Sequence, residues 1–173
     1  MKALLLIAAA LLAEQAASVP HSKVPDVKYV PTPQNVVDEM LDMAHVTSAD
    51  IVWDLGSGDG RIPITAAQKY GARGIGVEID HQLVLLSREN AKKAGVADRV
   101  VFIEGDLFEA DFSGASVVAL FLMPKVNQAL IPKLKSLRSG SRVVSHMWDM
   151  GLDWDPDETR DVNSLVIHLW TIK

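Results

Sequence analysis

The 173-residue chain contains no cysteine. That absence excludes disulfides, a thiolate nucleophile, thiolate zinc sites and cysteine-bound iron–sulfur clusters, and it is compatible with either redox compartment. Positive charge is also short. Seventeen Lys and Arg face 22 Asp and Glu, a formal net charge of −5, and the cations are scattered along the chain. A nucleic-acid partner, which requires a continuous cationic face to neutralise phosphates, is therefore disfavoured. A bilayer-length apolar run is missing too: Ala3 to Ala13 gives 11 residues before Glu14 intervenes, whereas a spanning helix needs ~20. What remains is 49% hydrophobic and 23% charged, enough to build the core of one ordinary domain.

The amino terminus, MKALLLIAAALLAEQAASVP, places Lys2 before that apolar run and Ala16-Ala17-Ser18 after it. This is the order of a secretory signal peptide, so residues 1–18 are read as a leader exporting the protein to the periplasm or beyond. The alternative is an amino-terminal anchor; if the segment is not used, the protein is cytoplasmic. Residues 19–33 carry Pro25, Pro31 and Pro33 and read as an extended arm. The domain proper is expected over 34–173.

Within it, apolar strands alternate with helices. Val36, Val37, Met40, Leu41 and Ala44 recur at helical spacing. Strands are expected at 51–55, 74–79, 100–103, 116–122, 142–147 and 165–171. Helices are expected at 62–70, 81–94 and 126–138, the last broken or restarted at Pro132. Continuously apolar strands separated by helices imply a Rossmann-like, doubly wound α/β fold, with a mostly parallel sheet covered by helices on both faces.

In such a fold the ligand lies beyond the carboxyl ends of the strands, next to the first strand. There the chain reads DLGSGDG, with Gly56, Gly58 and Gly60 in the turn and Asp54 directly before them. Glycines permit positive φ and close backbone approach, and the following helix start offers unpaired N–H groups. A tight structural turn alone would need fewer glycines. Dinucleotide binders use G-x-G-x-x-G, whereas this spacing is G-x-G-x-G, and Asp54 would repel a pyrophosphate but suit an α-ammonium group. Glu78 ends the second strand, where a carboxylate accepts from a ribose diol. Asp106 follows the third, in reach of an adenine amine. Each acid alone could be a solvated strand end. At three successive strand ends they describe an amino-acid head, a ribose and an adenine without phosphate: S-adenosylmethionine.

The sequence resembles class I S-adenosylmethionine-dependent methyltransferases, whose first motif has the form [D/E]-x-G-x-G-x-G, over about residues 29 to 149. YVPTPQNVVDEML, DLGSGDGR, GVEID, GDLFEAD and LRSGSRVVSH resemble, more narrowly, the small protein-lysine methyltransferases acting on mitochondrial carrier and ATP synthase subunits. The resemblance implies that Asp54, Gly56, Ser57 and Gly58 surround the methionine part of the cofactor, with Gly60 of the same loop also among the cofactor-binding residues. It implies that Glu78 holds the ribose with Ile79 beside it among the cofactor-binding residues, that Asp106 and Leu107 flank the adenine, and that Thr32 contacts the methionine carboxylate. No metal is implied.

Where many amide and nucleobase methyltransferases carry [D/N]-P-P-[F/Y], this chain has Phe121-Leu122-Met123-Pro124. That departure disfavours amide and nucleobase substrates and leaves the carbonyls of Leu122 and Met123 as acceptors for an amine. His146 is the best-placed candidate for proton removal, with a structural histidine as the alternative. Trp53 and Trp170 are expected in the core, and Trp154 beside a substrate groove. No insertion forms a lid, which suits a protein side chain as methyl acceptor. A small-molecule acceptor, or an exported binding protein without catalysis, are the other readings, and a monomer is expected.

Overall fold

The computed structural model describes residues 29–173; the leader reading and the first part of the arm lie outside them. Five strands run parallel: β1 (Ile51–Leu55), β2 (Arg73–Glu78), β3 (Val100–Glu104), β4 (Val117–Leu120) and β5 (Arg142–His146). β6 (Glu158–Val162) and β7 (Leu165–Thr171) form a hairpin that joins β5 through antiparallel β7. The order is β3-β2-β1-β4-β5-β7-β6. It reverses between β1 and β4, so a crevice opens beyond the carboxyl ends of those two strands.

Helices α1 (Gln34–Met43), α2 (Arg61–Tyr70) and α3 (His81–Lys93) cover one face. Val36, Val37, Met40 and Leu41 of α1 pack on Val52, Val117, Val144 and Ile167, and Val84 and Ala91 of α3 on Val100 and Phe102. The opposite face is covered by α4 (Pro124–Lys135), by the irregular segment 105–116 and by a 3-10 turn at Gly151–Asp153. The expected doubly wound architecture is present, with only one α-helix on this second face among the described residues.

Two elements depart from expectation. α4 runs unbroken through Pro132. The proline removes one backbone hydrogen bond at a cost of ~3 kcal/mol, while Leu130, Ile131 and Leu134 of the same helix are buried and contribute about 1.5–3 kcal/mol each. β6 reads ETRDV and has almost no apolar signal, because it is an exposed edge strand. Its partner β7 and the turn at Asn163 and Ser164, both at positive φ, specify it instead.

Candidate functional site

The crevice holds a cavity of about 520 Å³, within the usual range for a small-molecule site. Thr32, Asp54, Gly56, Ser57, Gly58, Glu78, Ile79, Asp106 and Leu107 all line it. Strands β1, β2 and β3 thus deliver their terminal acids to one space.

Asp54 is 3% exposed, and its carboxylate accepts no hydrogen bond among the described residues. Burial, then the neighbouring Glu78 and Asp59, push its pKa up to about 8. A buried carboxyl without a partner is costly unless a cation meets it. Glu78 is instead held in place: Gly58 N donates to Oε2 at 2.8 Å, and Ile79 N and Asp80 N donate to Oε1 at 2.8 and 3.0 Å. Its remaining lone pairs are aimed by the backbone and free for a diol. Asp106 Oδ1 accepts from Phe108 N at 2.9 Å, and Leu107 and Phe108 continue the same wall.

The glycine loop is not an anion cradle. Gly56 N and Ser57 N donate to Val77 O at 2.8 and 2.9 Å, Gly58 N to Glu78, and Gly60 N to Ser57 O at 2.9 Å. The unpaired amides expected at this turn are thus consumed by the protein, because β2 lies alongside the loop. No nest is left at these amides for a pyrophosphate. Ser57 Oγ is buried and without a partner; it lies against Gly76 of β2, 2.5 Å from where a Cβ at that position would stand. A partnerless buried carboxyl at Asp54 and a backbone-held Glu78 fit the amino-acid and ribose parts of S-adenosylmethionine.

Two residues grouped with the site on sequence lie elsewhere. Gly60 does not line the cavity; at φ +80 its missing Cβ makes room for Phe102 and Ser87, which a Cβ there would meet at 2.5 and 2.9 Å. Its role is to seat α2 against β3 and α3. His146, 2% exposed, stands behind the wall. Its ring lies against Phe121 with centroids 4.1 Å apart, its Nδ1 is 3.3 Å from Thr32 Oγ1, and its Nε2 has no partner. Burial lowers its pKa to about 4, so it is neutral near pH 7.

The other wall carries no ionisable side chain: Phe121, Leu122, Met123, Val126 and Trp148 line it. Met123 O accepts from Val126 N and Asn127 N as the first carbonyl of α4, so of the two carbonyls proposed as amine acceptors only that of Leu122 is not engaged by the helix. Trp154, expected beside the groove, packs on Trp170 at 5.7 Å and under Lys135 instead. Trp148, not anticipated, takes that place. Met147 at φ +67 turns the chain out of β5. Buried Ser145 and Asn127 then fix the turn, donating to Trp148 O at 2.6 and 3.1 Å. A positive φ at methionine is uncommon and clusters at functional positions, a signal that exists only in the folded chain.

Residues 54–158 match the model of the ANTKMT methyltransferase domain. The chain belongs to this methyltransferase family. A protein-lysine N-methyltransferase of Saccharolobus islandicus is 48% identical over 139 residues, covering 79% of this chain and 86% of that one. The adenine nucleotide translocase lysine N-methyltransferase of Mus musculus is 36% identical over 132 residues, covering 75% of this chain but 56% of its own, so this chain spans little more than half of that relative. A crystal structure of an RNA methyltransferase from Salinibacter ruber, in complex with S-adenosyl-L-homocysteine, superposes with a TM-score of 0.81 at 57% identity. It covers 83% of this chain and 94% of that one. The family's methyltransferase fold and its parallel sheet are those described above.

Proposed function

We propose that this protein transfers the methyl group of S-adenosylmethionine to the side-chain amine of a lysine in a protein substrate. The observation that carries this is one cavity with two unlike walls. The polar wall ends in a buried Asp54 without a hydrogen-bond partner. The opposite wall is Phe121, Leu122, Met123, Val126 and Trp148.

Bound S-adenosylmethionine supplies a sulfonium methyl group that passes to a lone pair in line with its bond to sulfur. The chain's own residues position and desolvate the partners. Asp54 meets the ligand's ammonium, Glu78 its diol and Asp106 its base. On the other side, a lysine amine must arrive neutral against its usual pKa of ~10.4. An apolar wall favours the neutral form by desolvation, the Leu122 carbonyl accepts an N–H, and the indole of Trp148 offers an aromatic face to the alkylammonium product. Neutral, buried His146 is not required as a base.

Charge supports a protein acceptor over RNA. Arg61 is the only cation among the lining residues, and it is paired with Asp59. Directly after Trp148, residues 149–161 hold six acids and one arginine. This stretch adds no cluster of cations for a phosphate and favours a cationic acceptor over RNA. The test is to incubate the protein with methyl-labelled S-adenosylmethionine and either proteins or RNA of its own cell. Label at lysine Nε in the protein fraction supports the reading; label in RNA alone, or on small amines alone, overturns the protein acceptor. Residues 1–18 add an export reading, supported by a chain beginning near Val19 in an exported cell fraction and refuted by an intact amino terminus in the cytosol.

A further inference from the structure

The roof over the amino-acid end of the cavity is neither strand nor helix. It is the extended stretch Tyr29–Pro33, in which Tyr29 to Thr32 line the cavity. Among the described residues, a small group of side chains holds this stretch down. Arg61 Nη1 donates to Thr32 O at 2.8 Å. The rest of the guanidinium is fixed by Asp59: Nε donates to Oδ1 at 2.9 Å and Nη2 to Oδ2 at 2.6 Å. Asp59 is in turn tied to α3, its carbonyl accepting from Asn90 Nδ2 at 3.0 Å. The Tyr29 hydroxyl interacts with the same ion pair, and its ring lies on Gly58, where a Cβ would come within 2.4 Å of Cε2.

Stability alone is a poor reason for this arrangement. Arg61 opens α2, where the helix dipole disfavours a cation. Its pair with Asp59 is part-exposed, at 29% and 18%, and pairs of that kind add little to folding free energy. What a bidentate guanidinium does well is fix geometry. Its Nε and Nη2 are spent on Asp59 and its Nη1 on a main-chain carbonyl, so it acts on the ligand through the arm.

We propose that Arg61 is a positioning residue: with Asp59 it latches Tyr29 and Thr32 across the amino-acid end of the cofactor, and so sets the affinity for ligands that carry that end. The proposal rests on the cofactor reading given above. A ligand consisting only of the nucleoside end lies over Glu78 and Asp106, away from the arm, and is indifferent to the latch.

The test is calorimetric titration of two ligands into the full-length protein and its R61A, R61K and D59N variants. S-adenosylhomocysteine carries the amino-acid tail; 5′-methylthioadenosine has the same adenine, ribose and thioether without it. The latch predicts that R61A weakens S-adenosylhomocysteine about tenfold or more while methylthioadenosine stays within about twofold. R61K, with charge but no planar fork, recovers part of the loss. D59N gives the same selective pattern as R61A, and it decides the matter if R61A does not fold. Equal losses for both ligands, or no loss for S-adenosylhomocysteine, overturn the latch while leaving the cofactor reading intact. Wild-type protein that binds neither ligand overturns the cofactor reading and the latch with it.

Discussion

Where β1, β2 and β3 end, the cavity presents Asp54, Glu78 and Asp106; where β4 and β5 lead into it, it presents Phe121, Leu122, Met123 and Trp148. The first wall is set by main-chain hydrogen bonds to two of its carboxylates and by a buried carboxyl without a hydrogen-bond partner on the third. The second is set by packing and by a turn that Ser145 and Asn127 hold. A ligand made of polar parts in fixed order needs the first kind of wall. A neutral amine on an alkyl chain needs the second. The comparison teaches that the two substrates are recognised by separable machinery, and substitutions on the two walls should therefore have separable effects.

The largest separation is expected from D54N. It removes the carboxyl that ionises to meet the ligand's ammonium, and S-adenosylmethionine affinity should fall by about two orders of magnitude, read by calorimetry. Ligand-free stability should move the other way. The folded pKa of about 8 lies above the unfolded carboxyl value of 3.8, so the native state holds the extra proton between these values and wild-type stability falls as pH rises from about 4 to 8. Thermal melts across that range should lose this slope in D54N, and the variant should melt higher than wild type at pH 8. A variant that binds as wild type removes Asp54 from the cofactor wall.

Next in size is W148A, which should raise the KM for the protein acceptor about tenfold and leave the S-adenosylhomocysteine Kd unchanged. Loss of both together would make Trp148 part of the fold instead of the acceptor wall. The two glycines of the loop then divide by role. G58A meets Tyr29 and a φ of +53, so cofactor affinity should drop about tenfold. G60A meets Phe102 and Ser87 at φ +80, and its first effect should be a lower melting temperature, by several degrees.

The smallest effect is expected at His146. Its folded pKa of about 4 lies below the ordinary 6.5, so the native state binds fewer protons than the unfolded chain between them. The stability this provides is present above about pH 6.5 and lost as pH falls toward 4. H146Q should flatten that acid limb of the stability curve and change kcat by less than about threefold. A loss of two orders of magnitude in kcat would restore His146 as a base.

The polar wall was legible in the sequence because it consists of charges at strand ends, and a strand end is fixed by a short apolar run. Asp54, Glu78 and Asp106 follow from the fold class once three such runs are recognised. Ser57 and Gly58 follow from the turn. Gly60 shows the limit of that argument: a motif groups neighbours in sequence, while packing sends one glycine to the ligand and the next to Phe102. The apolar wall was not legible in the same way. Trp148 and Trp154 are both tryptophans near acids after β5, and only the φ of Met147 and the bonds of Asn127 and Ser145 decide which one faces the cavity. The β6 strand was hidden because an exposed edge needs no apolar pattern. Pro132 misled because local backbone cost was outweighed by burial of its neighbours.

The most direct test of the two-wall account is a crystal structure of the full-length protein with S-adenosylhomocysteine. The account predicts the ligand's ammonium beside Asp54, its ribose hydroxyls on Glu78 and its adenine amine at Asp106. It also predicts the sulfur open toward Phe121, Leu122 and Trp148. A ligand bound elsewhere, or lying with its adenine against Trp148 and its amino acid at Asp106, would contradict it.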